Sequence, residues 1–155
     1  MEIQIRNAQK TCRIPVRQLK TRTGMILRAL GCEDRELSIA IVDDAEMRSL
    51  NRQYRNLDRS TDVLSFSQTE DDAGSPDHPL LGDVVLSAET AERQARRHDL
   101  SLEQELMLLL IHGVLHLLGY DHERSAEEER IMKDKTRHLF QKLYPGKQTS
   151  DACNY

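Results

Sequence analysis

Tryptophan is absent, and four tyrosines and two phenylalanines are the only aromatic residues among 155. The core must therefore be built from Leu, Ile and Val. The three cysteines, Cys12, Cys32 and Cys153, are odd in number, far apart and form no Cys-x-x-Cys pair. That pattern makes a poor disulfide scaffold and fits a reducing compartment. No apolar run approaches the roughly 20 residues of a membrane span. The opening Met1-Glu2-Ile3-Gln4-Ile5-Arg6 lacks the basic and apolar segments of a signal peptide. A cytoplasmic chain with no membrane partner is expected. A net positive charge is also lacking: 22 Lys and Arg against 26 Asp and Glu give a formal net charge of -4, which argues against bulk coating of nucleic acid but leaves room for a local basic patch.

What is present has the length of one domain. Ile3 and Ile5 alternate with polar residues as in a half-buried strand. Pro15 opens a helical pattern of Leu19, Ile26, Leu27 and Leu30, which Gly31 can close. Residues 37 to 42 read as a second strand, and Asp43 or Asp44 can cap a short helix through Tyr54. A third strand is expected over 61–67, a polar acidic loop over 69–79, and a fourth strand over 82–87. Ser87 is placed to cap a helix of residues 88–98, and Ser101 with Gln104 forms a capping box for the next. That next helix, 102–118, is apolar nearly all round, as a buried central helix is. Ser125 and Glu128 start a last helix that stops before Pro145. The expected fold is α+β: a small four-stranded mixed sheet with about five helices, one catalytic domain over 1–145 and a frayed tail over 146–155.

His112 and His116 interrupt the apolar helix. Four residues apart is about one turn, so both imidazoles leave one face. Gly119 can take the left-handed conformation that ends a helix and bring His122 back towards them. Three imidazoles with an open fourth position are the ligand set of a catalytic zinc site, where the pKa of a bound water falls towards 7. The bland alternative is a pair of core histidines. Two such rings in hydrocarbon would need polar partners, each at a cost of several kcal/mol if left without them. The spacing His-x-x-x-His-x-x-Gly-x-x-His resembles that of metzincin peptidases, but Gly113 stands where their base glutamate belongs. The ligands match a peptidase; the chemistry does not.

The run His112-Gly113-Val114-Leu115-His116-Leu117-Leu118-Gly119-Tyr120-Asp121-His122 closely resembles the signature of the YbeY family of metal-dependent endoribonucleases. Leu50 to Arg55, Thr61 to Phe66 and Leu81 to Ser87 extend the resemblance across roughly residues 37 to 140. It departs where Leu108 stands in place of a frequent His, and Ser60 and Ser67 in place of frequent Pro. The resemblance implies a single-strand-specific ribonuclease acting in ribosomal RNA maturation and ribosome quality control. It also implies an arginine facing the metal, which falls on Arg55.

Arg48, Arg52, Arg55 and Arg59 recur at helical spacing and predict a basic stripe suited to phosphate. Arg93, Arg96 and Arg97 read as surface decoration beside Glu89 and Glu92. Asp121 can orient a ligand histidine or shape the turn. The expected catalytic residues are Arg55, His112 and His116, the metal ligands His112, His116 and His122, and the substrate contacts Arg55 and Arg59. The expected cofactor is one Zn2+, though nickel and copper also suit nitrogen ligands. Single-stranded or ribosomal RNA is the expected partner, with the ribosome or its proteins, and no DNA. A zinc peptidase and a non-catalytic ribosome-associated factor are the alternatives.

Overall fold

The computed structural model describes residues 2–67, 80–121 and 123–149. The acidic loop over 69–79, His122 and Cys153 lie outside the described residues. Nine elements follow the order β1 (Glu2–Asn7), α1 (Val16–Ala29), β2 (Glu36–Val42), α2 (Asp44–Arg55), β3 (Val63–Phe66), β4 (Leu80–Ser87), α3 (Ala88–His98), α4 (Leu102–Leu117) and α5 (Ala126–Leu143). The sheet order is β1-β2-β4-β3, with β1, β2 and β4 parallel and β3 antiparallel to β4. The α+β fold with a mixed four-stranded sheet and five helices is as the sequence predicts.

Local chemistry sets the boundaries. The Asp43 side chain accepts the Glu46 amide at 2.8 Å and so starts α2, while Asn56 ends it at a φ of 59°. Ser101 and Gln104 form the expected capping box at 3.1 and 3.0 Å. Ser87 departs from expectation. It stands at the start of α3 but makes no side-chain cap; its hydroxyl instead donates to Asp44 Oδ1 at 2.6 Å and ties α3 to α2.

α4 is the centre of the molecule. Leu106, Met107, Leu108, Leu109, Leu110 and Ile111 are all at most 1% exposed, walled by the sheet on one side and by α1, α3 and α5 around the rest. At its far end the burial relaxes, and His112 and His116 are only half-buried. Gly113 lets the helix lie on the sheet. A Cβ there would stand 3.0 Å from both Ser65 Oγ and Val84 Cγ1, and Ser65 Oγ donates to the Gly113 carbonyl at 3.1 Å. The opposite face of the sheet is covered only in part, by α2.

Candidate active site

α4 carries His112 and His116 to the mouth of a cavity of about 670 Å³. Their Nε2 atoms face one another at 3.0 Å, with ring planes at 74°. Two neutral imidazoles can satisfy one such approach with a single N–H···N bond. A cation satisfies both as acceptors: nitrogens on one tetrahedral ion with bonds of about 2.0–2.1 Å stand roughly 3.4 Å apart. The pair sits in the last turns of α4, where the helix carbonyls favour positive charge. The donor set and its convergence fit a transition-metal ion. Among the described residues no group of three or more His, Cys, Asp or Glu could hold a metal, and the third expected ligand, His122, lies outside them.

Across the cavity stand Asn51, Arg55, Leu57 and Arg59, and one wall is the strand segment Thr61 to Ser65. Arg55 comes from the last turn of α2. Its Nη2 donates to the Ser65 carbonyl at 2.9 Å, and its guanidinium carbon lies 5.7 Å from the centre of the Phe66 ring. One edge of the fork is thus anchored while the side chain remains exposed. Ser65 can offer that carbonyl because β3 is an edge strand. Its pairing to β4 uses Asp62, whose carbonyl accepts the Ser87 amide at 3.0 Å. By alternation, the Ser65 main chain faces outward.

The basic stripe is shorter than the spacing predicts. Arg48 is turned to Asp58, which it binds through two nitrogens at 2.8 and 3.1 Å, and neither it nor Arg52 lines the cavity. Asp58 lies in the loop beyond the helix, so helical spacing could not reveal it. Arg93 is likewise a partner of Asp44, at 2.9 Å, rather than of the glutamates on its own helix.

Asn51 received no role from the sequence. It is 2% exposed and donates to the Arg59 carbonyl at 2.9 Å, which fixes the loop that carries Arg59 to the rim. A signal existed: Asn51 follows Met47 by four residues and shares its buried stripe on α2, where a polar side chain demands a partner. Ser65 has a role that spacing does not signal, since its partners Arg55 and Gly113 lie on other elements. Asp121 Oδ1 accepts the Glu123 amide at 2.8 Å, and Oδ2 lies 3.4 Å from Arg124 Nε, which is what shaping this turn requires.

Asp44 ties the site's supports together. Its Oδ1 accepts from Ser60, Ser87 and Thr90 at 3.2, 2.6 and 2.6 Å. Partial burial pushes its carboxyl up, but the hydrogen bonds from Ser87, Thr90 and Arg93 prevail and hold it at about 2. The N-terminus of α2, the loop before β3 and the start of α3 are joined through this one residue.

A family description, Endoribonuclease YbeY, matches residues 4–144. The chain belongs to that family. It is 49% identical over 144 residues to the Endoribonuclease YbeY of Syntrophotalea carbinolica, covering 91% of this chain and 95% of the other. It is 49% identical over 119 residues to the Aquifex aeolicus protein of the same name, covering 77% of each. The solution structure of a Thermotoga maritima protein shares the fold at a TM-score of 0.65 and 28% identity, covering 94% of this chain and 99% of that one. A YbeY endoribonuclease accounts for the missing peptidase base as well. Position 113 packs so closely against Val84 and Ser65 that even a Cβ would be a tight fit.

Proposed function

We propose that the protein is a metal-dependent, single-strand-specific endoribonuclease of ribosomal RNA maturation and ribosome quality control. The observation that carries the reading is one cavity shared by the converging His112 and His116 nitrogens and the anchored Arg55. His112 and His116, joined by His122, hold one divalent cation, with zinc favoured by the nitrogen ligand set. Such an ion supplies Lewis-acid stabilisation of charge on a phosphoryl oxygen.

The remaining work falls to the chain's own groups. Arg55 binds the scissile phosphate through the part of its fork that Ser65 does not hold, and it meets the charge that grows there. Because the Ser65 carbonyl and the Phe66 ring fix its direction, little reorganisation accompanies the reaction. Arg59, on the loop tied by Asn51, contacts the strand further along. Gly113 offers no general base, so the proton of the nucleophile, water or the substrate's own 2'-hydroxyl, must go to another group of the cavity or to solvent, and a 2',3'-cyclic phosphate at the cleaved end would identify the 2'-hydroxyl route.

The net charge of -4 predicts weak, salt-sensitive affinity for naked RNA. Specificity then comes from docking on the ribosome or one of its proteins. The cytoplasm is the fitting compartment for Cys12 and Cys32, both buried free thiols. Burial and the neighbouring Glu92 push Cys12 up to about 11, so it stays protonated. No single helix among the described residues is long and apolar enough to cross a membrane. No observation favours a peptidase or a structural metal in a non-catalytic factor.

The test is cleavage of an end-labelled single-stranded RNA by metal-loaded protein, beside His116→Ala and Arg55→Ala. Loss of cleavage in both variants is expected. Equal cleavage by all three would identify a contaminating nuclease and overturn the reading.

A further inference from the structure

Beside the active-site cavity, on the side of the sheet away from α4, stands a pair of aromatic rings that the proposed chemistry does not use. Tyr54 immediately precedes Arg55 on α2 and is 58% exposed. Its ring meets Phe66 of β3 edge to face, with centroids 5.2 Å apart and planes at 65°. Phe66 in turn lies under the Arg55 guanidinium. These are two of the six aromatic residues in the chain, and burial does not explain Tyr54. An edge-to-face contact covers the face of one ring at most, and the exposure of Tyr54 shows that its ring remains open. Both rings line a second groove of about 690 Å³, which runs over the sheet face past Ser38 to Arg6 and Gln4. Arg55 lines the cavity with the histidines and lies over the Phe66 ring, so the phosphate-binding arginine is what joins that cavity to the groove with the rings.

Resting on the endoribonuclease reading, we propose that Tyr54, supported by Phe66, is a stacking platform for one unpaired nucleobase next to the scissile phosphate. Two properties point to a base rather than to another occupant. The large side chain that stands most exposed beside the groove is an aromatic ring, Tyr54, while aliphatic side chains line the floor further along. A fixed cation stands immediately beside that ring to hold the phosphate joined to the base. Aromatic stacking next to a backbone-tracking cation is how single strands are held without sequence readout. It also gives a physical source for single-strand selectivity, since a base inside a duplex has no face to offer. The platform positions substrate and takes no part in the chemical step.

The chain has no tryptophan, so Tyr54→Trp places a single reporter at the site. Its fluorescence is expected to be quenched, saturably, by a short single-stranded RNA. An oligomer of the same length made abasic throughout, or inorganic phosphate, should leave it unchanged. In parallel, Tyr54→Ala should raise KM for single-stranded RNA at least about fivefold, and Tyr54→Phe should bring it back to within about twofold. Quenching by the abasic oligomer equal to that by RNA, or a KM in Tyr54→Ala within about twofold of wild type, overturns the platform. The two readings fail separately. A wild-type protein that cleaves no RNA refutes the endoribonuclease assignment, whereas cleavage that is indifferent to Tyr54→Ala refutes the platform alone. A surface that serves a protein partner instead would show as an indole that RNA does not quench.

Discussion

Two side-chain pairs that contain histidine lie close along the same stretch of chain, and their surroundings differ sharply. His98, at the end of α3, places Nδ1 at 2.8 and 2.9 Å from the two oxygens of Glu105 on α4. The two side chains are 8% and 0% exposed. Donor faces acceptor, and the pair is chemically complete while it fastens α3 to α4. About two turns beyond Glu105 on the same helix, His112 and His116 bring two ring nitrogens of the same kind together at 3.0 Å in a cavity open to solvent. Two neutral rings can share one N–H···N bond there, whereas a cation would take both nitrogens as ligands, as the proposed function has it. The first pair is closed off from solvent; the second faces a cavity that a ligand can enter.

The sharpest way to break this contrast is by stability. Glu105→Ala leaves the His98 ring buried against an apolar gap and is expected to cost about 3–5 kcal/mol, read from urea unfolding. His116→Ala in metal-free buffer should cost under about 1 kcal/mol, because it removes a half-buried side chain from a cavity wall. Equal losses in the two variants would make both pairs structural.

Arg55→Lys probes the other half of the site. The charge survives, but one amine cannot hold the Ser65 carbonyl, lie on Phe66 and bind a phosphate together. A fall in kcat/KM of at least about tenfold is expected, and an unchanged value would show that charge alone suffices.

A smaller effect belongs to Asp44. Its carboxyl titrates at about 2 in the folded chain against 3.8 ordinarily, so its stabilisation is present above about pH 4 and is lost as pH falls towards 2. Wild type should exceed Asp44→Asn by on the order of 1–2 kcal/mol at neutral pH, and unfolding curves for the two should converge at the acid end. A difference that persists at pH 2 would rule this cause out.

Arg48→Ala should change neither the unfolding midpoint nor cleavage. Its bonds to Asp58 are made in solvent, where such pairs contribute little. A loss of cleavage would restore Arg48 to the basic stripe.

Much of the fold is legible before any coordinates. The capping residues Asp43, Ser101 and Ser125 act locally, so reading them needs only their neighbours. The buried helix α4 is likewise announced by its own composition. What the sequence hides is set by tertiary contacts. Arg48 finds Asp58, Ser87 abandons its helix for Asp44, and Asn51 reaches the Arg59 carbonyl, and none of these partners is fixed by spacing. Within the site, the histidine face on α4 is readable from helical periodicity. The outward carbonyl of Ser65 depends on which strand occupies the edge of the sheet, and hence on topology.

The most direct test of the central claim, that His112, His116 and His122 hold an ion on which RNA cleavage depends, is metal content measured against activity. Protein never exposed to chelator should carry about one equivalent of metal per chain. Cleavage should fall and recover with that content as the ion is stripped and restored, and His116→Ala should retain neither. Undiminished cleavage by protein stripped of metal would contradict the account.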